Sequence, residues 1–172
     1  SSSGSLSGGN TLGGFIGNLT TSDGGSAHTI DLSNNQTSMA VTGETTNIGG
    51  FIGLLNNTFA SAVHSTISFD SNSASGDVIG NGNVGGFLGG SNGSGAGTTI
   101  QHAQGTGGLT ITNSSSSGDV TGNIQNDNAS NAGGFVGYLS CKSENDAQFA
   151  ACSLRQNTAS GNVQGYRYVG GF

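Results

Sequence analysis

The chain has 172 residues, of which 34 are glycine, none is proline or tryptophan, and only 7% are charged. Disordered chains are usually charged and proline-bearing, and collagen needs glycine at every third position with abundant proline, so this composition excludes both. The formal charge of -6 with only three Lys and Arg residues argues against nucleic-acid binding, and apolar runs of a few residues leave no membrane span.

The triplet Gly-Gly-Phe recurs five times, and this recurrence organises the chain. The intervals between successive triplets are 36, 36, 48 and 37 residues, and the triplets begin at Gly13, Gly49, Gly85, Gly133 and Gly170. The spacing predicts one repeat array over residues 1–172. Its coils would cover about 13–48, 49–84, 85–132 and 133–169, with partial units at both ends. The surplus of the long interval lies in two polar tracts, GSNGSGAGTT (90–99) and QNDNASN (125–131).

Three strand-like segments are predicted in each repeat. The first contains the triplet; the second is HTIDL (28–32), STISF (65–69), LTIT (109–112) or FAACSL (149–154); the third follows a TGE, SGD or SGN marker. The segments are short, β-branched or aromatic, and bounded by turn residues, whereas the frequent glycine disfavours helix. A propeller and a stacked sandwich are the alternatives. We predict an all-β fold, a β-solenoid with about three short strands per coil of roughly 36 residues.

The triplet strand is predicted to be apolar on both faces. In NVGGFLG (83–89), strand alternation places Val84 and Leu88 on one face and Phe87, between two glycines, on the other. Stacked coils would then align two columns. These are an aromatic ladder, Phe15, Phe51, Phe87, Phe135 and Phe172, and an aliphatic stripe, Ile16, Ile52, Leu88 and Val136.

The glycines beside each Phe have two readings. They leave room for the ring over bare backbone, or they bend the strand at a corner of the coil. The aliphatic stripe needs a cover in either case, since exposed apolar stripes rarely stay solvated. Loops of the same coil, a second sheet and a neighbouring subunit are the three candidates for that cover.

Few residues suggest a catalytic or metal-binding site. An acidic residue follows the marker glycine at Glu44, Asp77 and Asp119, and Asn162 takes this place in the fourth copy. Calcium is one hypothesis for such a column, but solvated turn residues that cap backbone amides are favoured. A metal column of His28, His64 and His102 is weighed against a surface ladder, which is preferred. The carboxylates suggest no common site for a glycosidase or lyase. We therefore predict no catalytic residue, no metal and no cofactor, and thus no enzyme.

Cys141 and Cys152 have ten residues between them, none of which is His. A local disulfide formed outside the cytoplasm is predicted in preference to free buried thiols or a metal site. Low charge with abundant Ser, Thr and Asn is typical of secreted bacterial surface proteins. The opening SSSGS, without Met or a leader, predicts a processed mature chain or a fragment.

The stretch SGDVIGNGNVGGFLG resembles the GLUG repeat of bacterial secreted and cell-surface proteins, and the resemblance extends from about Ser5 to Phe172. The matching residues are Gly76–Val78 with Val84–Gly89, Gly118–Val120 with Gly133–Gly137, and Gly161–Val163 with Val169–Phe172. The chain departs from the family by using Phe where Leu is common, and by its long third repeat. The resemblance implies a repetitive extracellular β-structure of adhesin-like proteins, and it carries over no catalytic residue.

The sequence thus predicts a non-catalytic structural protein, extracellular or on the cell surface, that is the shaft or a subunit of an adhesin or fibre. Its expected partners are other copies or adjoining repeats of a longer chain, because both ends carry a strand that is ready to pair. The alternative is a module whose loops at 90–108 and 138–156 bind a glycan or a host protein.

Overall fold

The computed structural model describes residues 1–22, 29–58, 66–91, 100–102, 108–122, 131–143 and 152–172. Every regular element within these ranges is a β-strand, and none of them contains a helix of the length and hydropathy that a membrane crossing requires. The all-β prediction is confirmed. The strands are β1 (Ser2–Gly8), β2 (Leu12–Gly13), β3 (Ile16–Ser22), β4 (Thr29–Ser33), β5 (Gln36–Gly43), β6 (Asn47–Gly49), β7 (Ile52–Thr58), β8 (Thr66–Asp70), β9 (Ser73–Ala74), β10 (Val78–Gly80), β11 (Asn83–Gly85), β12 (Leu88–Gly90), β13 (Ile100–His102), β14 (Gly108–Thr112), β15 (Ser115–Ser116), β16 (Val120–Gly122), β17 (Asn131–Gly133), β18 (Val136–Tyr138), β19 (Cys141–Ser143), β20 (Cys152–Arg155), β21 (Thr158–Ala159), β22 (Val163–Gln164) and β23 (Tyr168–Gly170).

These strands form four parallel sheets, which the chain visits in a fixed order. Sheet 1 holds β1, β5, β9, β10, β15, β16, β21 and β22; sheet 2 holds β2, β6, β11, β17 and β23; sheet 3 holds β3, β7, β12, β13, β18 and β19; sheet 4 holds β4, β8, β14 and β20. After sheet 4 the chain returns to sheet 1, one strand further along. We call each such round a level. The described part of the chain therefore has five levels in sheets 1 and 2 and four in sheets 3 and 4.

The fourth sheet arises at the triplet, where the sequence predicted a single strand. Val84 belongs to β11 and Leu88 to β12, and the chain bends at Gly86 and Phe87 between them. The bend interrupts strand alternation. Leu88 consequently joins Phe87 in one core cluster, whereas Val84 lies in another. The prediction of three strands per repeat is wrong for this reason, and so is the assignment of the Phe ladder and the aliphatic stripe to opposite faces.

The triplet glycines make room for main chain at this bend. A Cβ on Gly85 would collide with the carbonyl oxygen of Leu88, and it would lie 2.6 Å from the nitrogen of Gly137 in the next level. A Cβ on Gly86 would collide with the carbonyl oxygen of Gly134 and lie 2.9 Å from the Cβ of Ser116. Of the two sequence readings, room for the rings and a corner of the coil, the bend at Gly86 and Phe87 agrees with the second. The structure uses the space at these glycines for the close approach of neighbouring backbones.

The apolar core consists of two clusters that extend through the levels. The larger one lies mainly between sheets 3 and 4 and contains Phe51, Ile52, Leu55, Ile67, Phe69, Ala74, Phe87, Leu88, Leu109, Ile111 and Phe135. The smaller one joins sheets 1 and 2 and contains Val41, Ile48, Val78, Val84, Val120 and Ala132. A fully buried side chain of this size contributes about 1.5–3 kcal/mol. Each level adds its own buried apolar side chains to these two clusters.

The register shows where the long third repeat carries its extra residues. Gly90 and Gln101 pair with two residues of the preceding level, Leu54 and Thr58, that are much closer together in sequence. A second surplus falls between Gly122 and Asn131, whose partners are Gly80 and Asn83. These intervals contain the two polar tracts, most of which lie outside the described residues. Regular pairing resumes after each of them.

Candidate functional site

Five Phe side chains stack in one ladder beside the bend. The ring centroids of Phe15, Phe51, Phe87 and Phe135 follow one another at 4.8 Å, and Phe172 lies 5.0 Å from Phe135. The interplanar angles are 7–12°. This separation equals the spacing of neighbouring strands in a sheet. Main-chain bonds set it, since the N–H of each of the first four Phe residues in the ladder donates to the carbonyl oxygen of the next Phe at 2.9–3.1 Å.

The aliphatic stripe packs against the same ladder. Ile16, Ile52, Leu88 and Val136 pair in register through sheet 3. Ile52 and Leu88 are fully buried, and both belong to the cluster that contains the Phe rings. Phe69 of sheet 4 meets Phe87 edge-on, with centroids 6.5 Å apart. The chain's own core therefore covers the inner part of the stripe.

An asparagine ladder, which the sequence argument missed, lies at the start of the sheet 2 strands. Asn83 Nδ2 donates to Asn47 Oδ1 at 2.9 Å, and Asn131 Nδ2 donates to Asn83 Oδ1 at 2.7 Å. Asn47 is fully buried. The available signal was the recurrence of Asn two residues before the triplet, in TNIGGF, GNVGGF and SNAGGF. The ladder joins three levels through side chains as well as main chain.

Replacing Asn83 with Ala is expected to lower the free energy of unfolding by about 1–3 kcal/mol, because the buried amide of Asn47 and the partly buried amide of Asn131 both lose this partner. The matched control is Asn81→Ala in the same turn. Asn81 is exposed and donates to the Glu44 carbonyl oxygen at 2.7 Å, and its replacement should change stability by no more than about 0.5 kcal/mol. Urea unfolding measures both variants. Equal losses would show that the ladder adds nothing specific.

A second polar ladder marks the turn from sheet 4 to sheet 1. Four turn residues have positive φ angles of 50–59°, an uncommon conformation for side-chain-bearing residues: Asn34, Ser71, Asn113 and Gln156. The next residue in each turn bonds across the levels. Asn72 Oδ1 accepts from the Asn35 main-chain nitrogen at 2.9 Å, and Asn157 Oδ1 accepts from that of Ser114 at 2.9 Å. These bonds tie each left-handed turn to its neighbour.

Two of the acidic candidates form a capping column. Asp77 Oδ1 accepts from the main-chain nitrogen of Asp119 at 2.9 Å. Asp119 Oδ1 in turn accepts from that of Asn162 at 2.8 Å. Each carboxylate thus caps an amide of the next level, as solvated turn residues do. No group of three His, Cys, Asp or Glu side chains in the described ranges is placed to hold a metal ion.

Glu44 does not belong to this column. Thr42 pairs with Ile79, so Gly43 corresponds to Gly80 and not to the marker glycine Gly76. Glu44 consequently follows the end of β5, whereas Asp77 comes immediately before β10. TGE and SGD were aligned because both contain a glycine followed by an acidic residue. The strand register shows that this alignment is wrong. The three carboxylates therefore do not lie in one column, and the geometry does not support a calcium site that uses all three.

Several candidates lie partly or wholly beyond what the structure describes. His28 and His64 are outside the described residues, and so are 92–99 and 103–107 of the loop at 90–108 and 144–151 of the loop at 138–156. His102 is in β13, where its main chain pairs with Ser143.

Asp70 is the centre of an exposed hydrogen-bond cluster on sheet 4. Its Oδ1 accepts from Thr112 Oγ1 at 2.8 Å and from Asn113 Nδ2 at 2.9 Å, and its Oδ2 accepts from Ser71 Oγ at 3.1 Å. The bond from Thr112, followed by that from Asn113, lowers the pKa of this carboxyl below the ordinary value for Asp. The ionised form is therefore favoured in the folded chain.

This lowered pKa predicts a specific pH dependence. The stabilisation from Asp70 is fully present above the pKa of the unfolded chain, about 3.9, and is lost as the pH falls through the folded value. The stability difference between the native chain and Asp70→Asn should be constant from about pH 7 to 5 and shrink below about pH 4. Urea unfolding at several pH values tests this. A difference that persists unchanged at about pH 2 would contradict it.

Cys141 and Cys152 form a disulfide with their Cα atoms 6.0 Å apart. The bond joins β19 of sheet 3 to β20 of sheet 4 within the fourth level. It therefore closes the loop between these two strands, residues 144–151, which lie outside the described residues. Cross-links of this kind stabilise by restricting the unfolded chain.

Comparison of the chain with protein-family models, with curated proteins and with solved structures found no match. The resemblance to the GLUG repeat therefore depends on the motifs themselves.

Proposed function

We propose that the chain is a β-solenoid segment that serves as the shaft, or a subunit of the shaft, of a bacterial surface adhesin or extracellular fibre. It acts without catalysis and without a cofactor. The single observation that supports this most is the unbroken stack from Phe15 to Phe172, with successive rings 4.8–5.0 Å apart. The order in which the chain visits the four sheets supports the solenoid, because continuous winding in one direction produces such an order.

The stacked levels provide stiffness rather than length. About 36 residues of this chain advance the stack by one strand spacing of about 4.8 Å, whereas a helix advances about 1.5 Å with every residue. Neighbouring levels are joined by parallel sheets, by two apolar clusters and by two polar ladders, with sheets 1 and 2 continuing through all five described levels and sheets 3 and 4 through four. Bending the column would strain all of these connections together. The arrangement suits a thick, rigid segment within a larger assembly.

The extracellular location is supported by two features of the chain. The disulfide between Cys141 and Cys152 is of the kind that persists in oxidising compartments. The GLUG-like motifs are those of secreted and cell-surface proteins, and they suggest adhesin-like neighbours. The expected partners are adjoining repeats or further copies, which would extend the same sheets.

Electron microscopy of the purified, oxidised chain tests this proposal, with fibre diffraction of any assemblies. We expect rods or filaments that give a reflection near 4.8 Å along the long axis. A preparation in which Cys141 and Cys152 are reduced serves as the comparison. Dispersed compact particles that bind sugars on a glycan array would contradict the shaft. They would favour a glycan-binding module that presents its loops from the same scaffold.

A further inference from the structure

The turn between β10 and β11 consists of an asparagine followed by a glycine, Asn81 and Gly82. It is the shortest connection between the described strands of sheets 1 and 2, since the turns that follow β1, β5 and β22 have three residues each. The turn belongs to the third level, so described levels lie on both sides of it. Its surroundings are therefore those of an inner level.

Main-chain hydrogen bonds hold this turn between its neighbours. The Gly82 carbonyl oxygen accepts from the Asn131 nitrogen of the fourth level at 2.9 Å, and the Asn83 nitrogen donates to the Thr46 carbonyl oxygen of the second level at 3.0 Å. Gly82 has a φ of +89°, and a Cβ there would lie 2.7 Å from the carbonyl oxygens of Thr45 and Thr46. A side chain at this place would therefore require a shift of the main chain.

The same turn places an amide side chain beside an unhindered main-chain nitrogen. The Asn81 side chain is exposed, and its Nδ2 donates to the Glu44 carbonyl oxygen at 2.7 Å. Among the described residues, no main-chain oxygen accepts from the Gly82 N–H. Glycine also has no Cβ that would block the approach of this nitrogen to the neighbouring side chain. The Gly82 nitrogen is thus placed to react with the Asn81 side-chain carbon.

We propose that Asn81 deamidates spontaneously and that its isoaspartate product disconnects the third level from its neighbours. The Gly82 nitrogen gives up its proton and bonds to Cγ of Asn81, and the side-chain amide leaves as ammonia. Water then opens the resulting succinimide ring. Breaking the new bond to Cγ gives aspartate, whereas breaking the original peptide bond gives isoaspartate, whose main chain runs through Cβ and Cγ. Water is the only other reactant.

The two products change the turn in different ways. Aspartate alters only an exposed side chain, which should change stability little. Isoaspartate places an additional carbon in the main chain of a two-residue turn. On one side of this turn Gly80 pairs with Gly122. On the other side Asn83 pairs with Asn131 and belongs to the asparagine ladder. The longer turn would have to shift one of these pairings.

Asn162 provides a matched comparison within the same chain. It is exposed like Asn81, but the residue that follows it is Val163. The branched side chain of valine crowds the main-chain nitrogen that would have to attack. We therefore expect deamidation at Asn81 to be at least about tenfold faster than at Asn162.

The test is incubation of the folded, oxidised chain in warm, mildly alkaline buffer, followed by mass spectrometry of chymotryptic peptides. Cleavage after Phe69 and Phe87 releases a peptide that contains Asn81. Deamidation raises the mass of this peptide by about 1 Da, and electron-transfer fragmentation distinguishes isoaspartate from aspartate. Deamidation at Asn81 that is no faster than at Asn162 would overturn the proposal.

The effect on the column is measured on the same samples. The deamidated fraction, separated by ion exchange and containing isoaspartate, should unfold at a lower urea concentration than the native chain. Asn81→Asp, which has aspartate alone, should stay close to the native midpoint. An isoaspartate fraction with the native midpoint would refute the disconnection of the levels.

Asn81→Gln is the control for damage elsewhere, because attack on its longer side chain would need a larger ring. Asn92, which also precedes a glycine, is unchanged in this variant and lies outside the described residues. Asn81→Gln should keep its urea midpoint through the same incubation. If it lost stability as fast as the native chain, the damage would lie elsewhere and the proposal would be wrong.

Discussion

Replacing Phe87 with Ala is expected to lower the free energy of unfolding by about 3–5 kcal/mol. The ring is fully buried, stacks on Phe51 and Phe135 at 4.8 Å, and meets Phe69 edge-on. Its removal would leave a cavity in the middle of the ladder. The levels above and below cannot close this cavity, because main-chain bonds fix their separation. Urea unfolding followed by circular dichroism measures the loss.

The matched control for this prediction is Phe172→Ala at the end of the same ladder. Phe172 stacks on Phe135 alone and is 50% exposed. Its replacement should cost only about 1 kcal/mol, the order of one aromatic pair. Similar losses for the two variants would mean that position in the stack does not matter, and the ladder would no longer explain the stability of the core.

Gly85→Ala is expected to cost about 3 kcal/mol or more, although it adds a single methyl group. The new Cβ would collide with the Leu88 carbonyl oxygen and approach the nitrogen of Gly137 to 2.6 Å. Both atoms are main chain, so neither can move without shifting a paired strand. We expect a lower urea midpoint and a smaller soluble yield.

The same change at the outer level provides the control. Gly170 has the register position of Gly133 in sheet 2, and its Cβ would meet nothing within 4 Å. Gly170→Ala should alter stability by no more than about 0.5 kcal/mol. If Gly85→Ala proved equally harmless, the close approach of backbones at the bend would be wrong.

The short β-branched and aromatic segments and the frequent glycine were sufficient to predict an all-β chain, and the spacing of the triplets predicted the stack of Phe rings. A ring at a fixed offset in each repeat reaches the same point of every level when the levels pair in parallel. The 48-residue interval did not obscure this, because its surplus falls between paired strands, from Gly90 to Gln101 and from Gly122 to Asn131.

The bend at the triplet could not be assigned from the sequence. A Gly-Gly pair is compatible with an extended strand and with a corner, and only contacts with the next level distinguish the two. Those contacts involve Gly137 and Ser116, which lie far along the chain from Gly85 and Gly86. The position of Glu44 was misjudged for a related reason, since the nearest glycine in sequence was not its structural counterpart.

The polar ladders were missed because asparagine is common throughout the chain. With 19 Asn residues, the recurrence of Asn47, Asn83 and Asn131 before the triplet did not stand out. What distinguishes them is a side-chain partner one level away, together with the full burial of Asn47, and both are properties of the folded chain.

The central claim, that the levels stack in register from one end of the chain to the other, is tested most directly by one distance. Ser7 and Gln164 are exposed and are connected through sheet 1 by four pairings, by way of Thr42, Ile79 and Thr121. Spin labels on non-natural residues at these two positions would leave the disulfide intact. Four strand spacings predict a backbone separation of about 19 Å, to which the length of the label side chains is added. Pulsed electron–electron double resonance measures the distance between the two labels. A distribution centred beyond about 35 Å would contradict the stacked column.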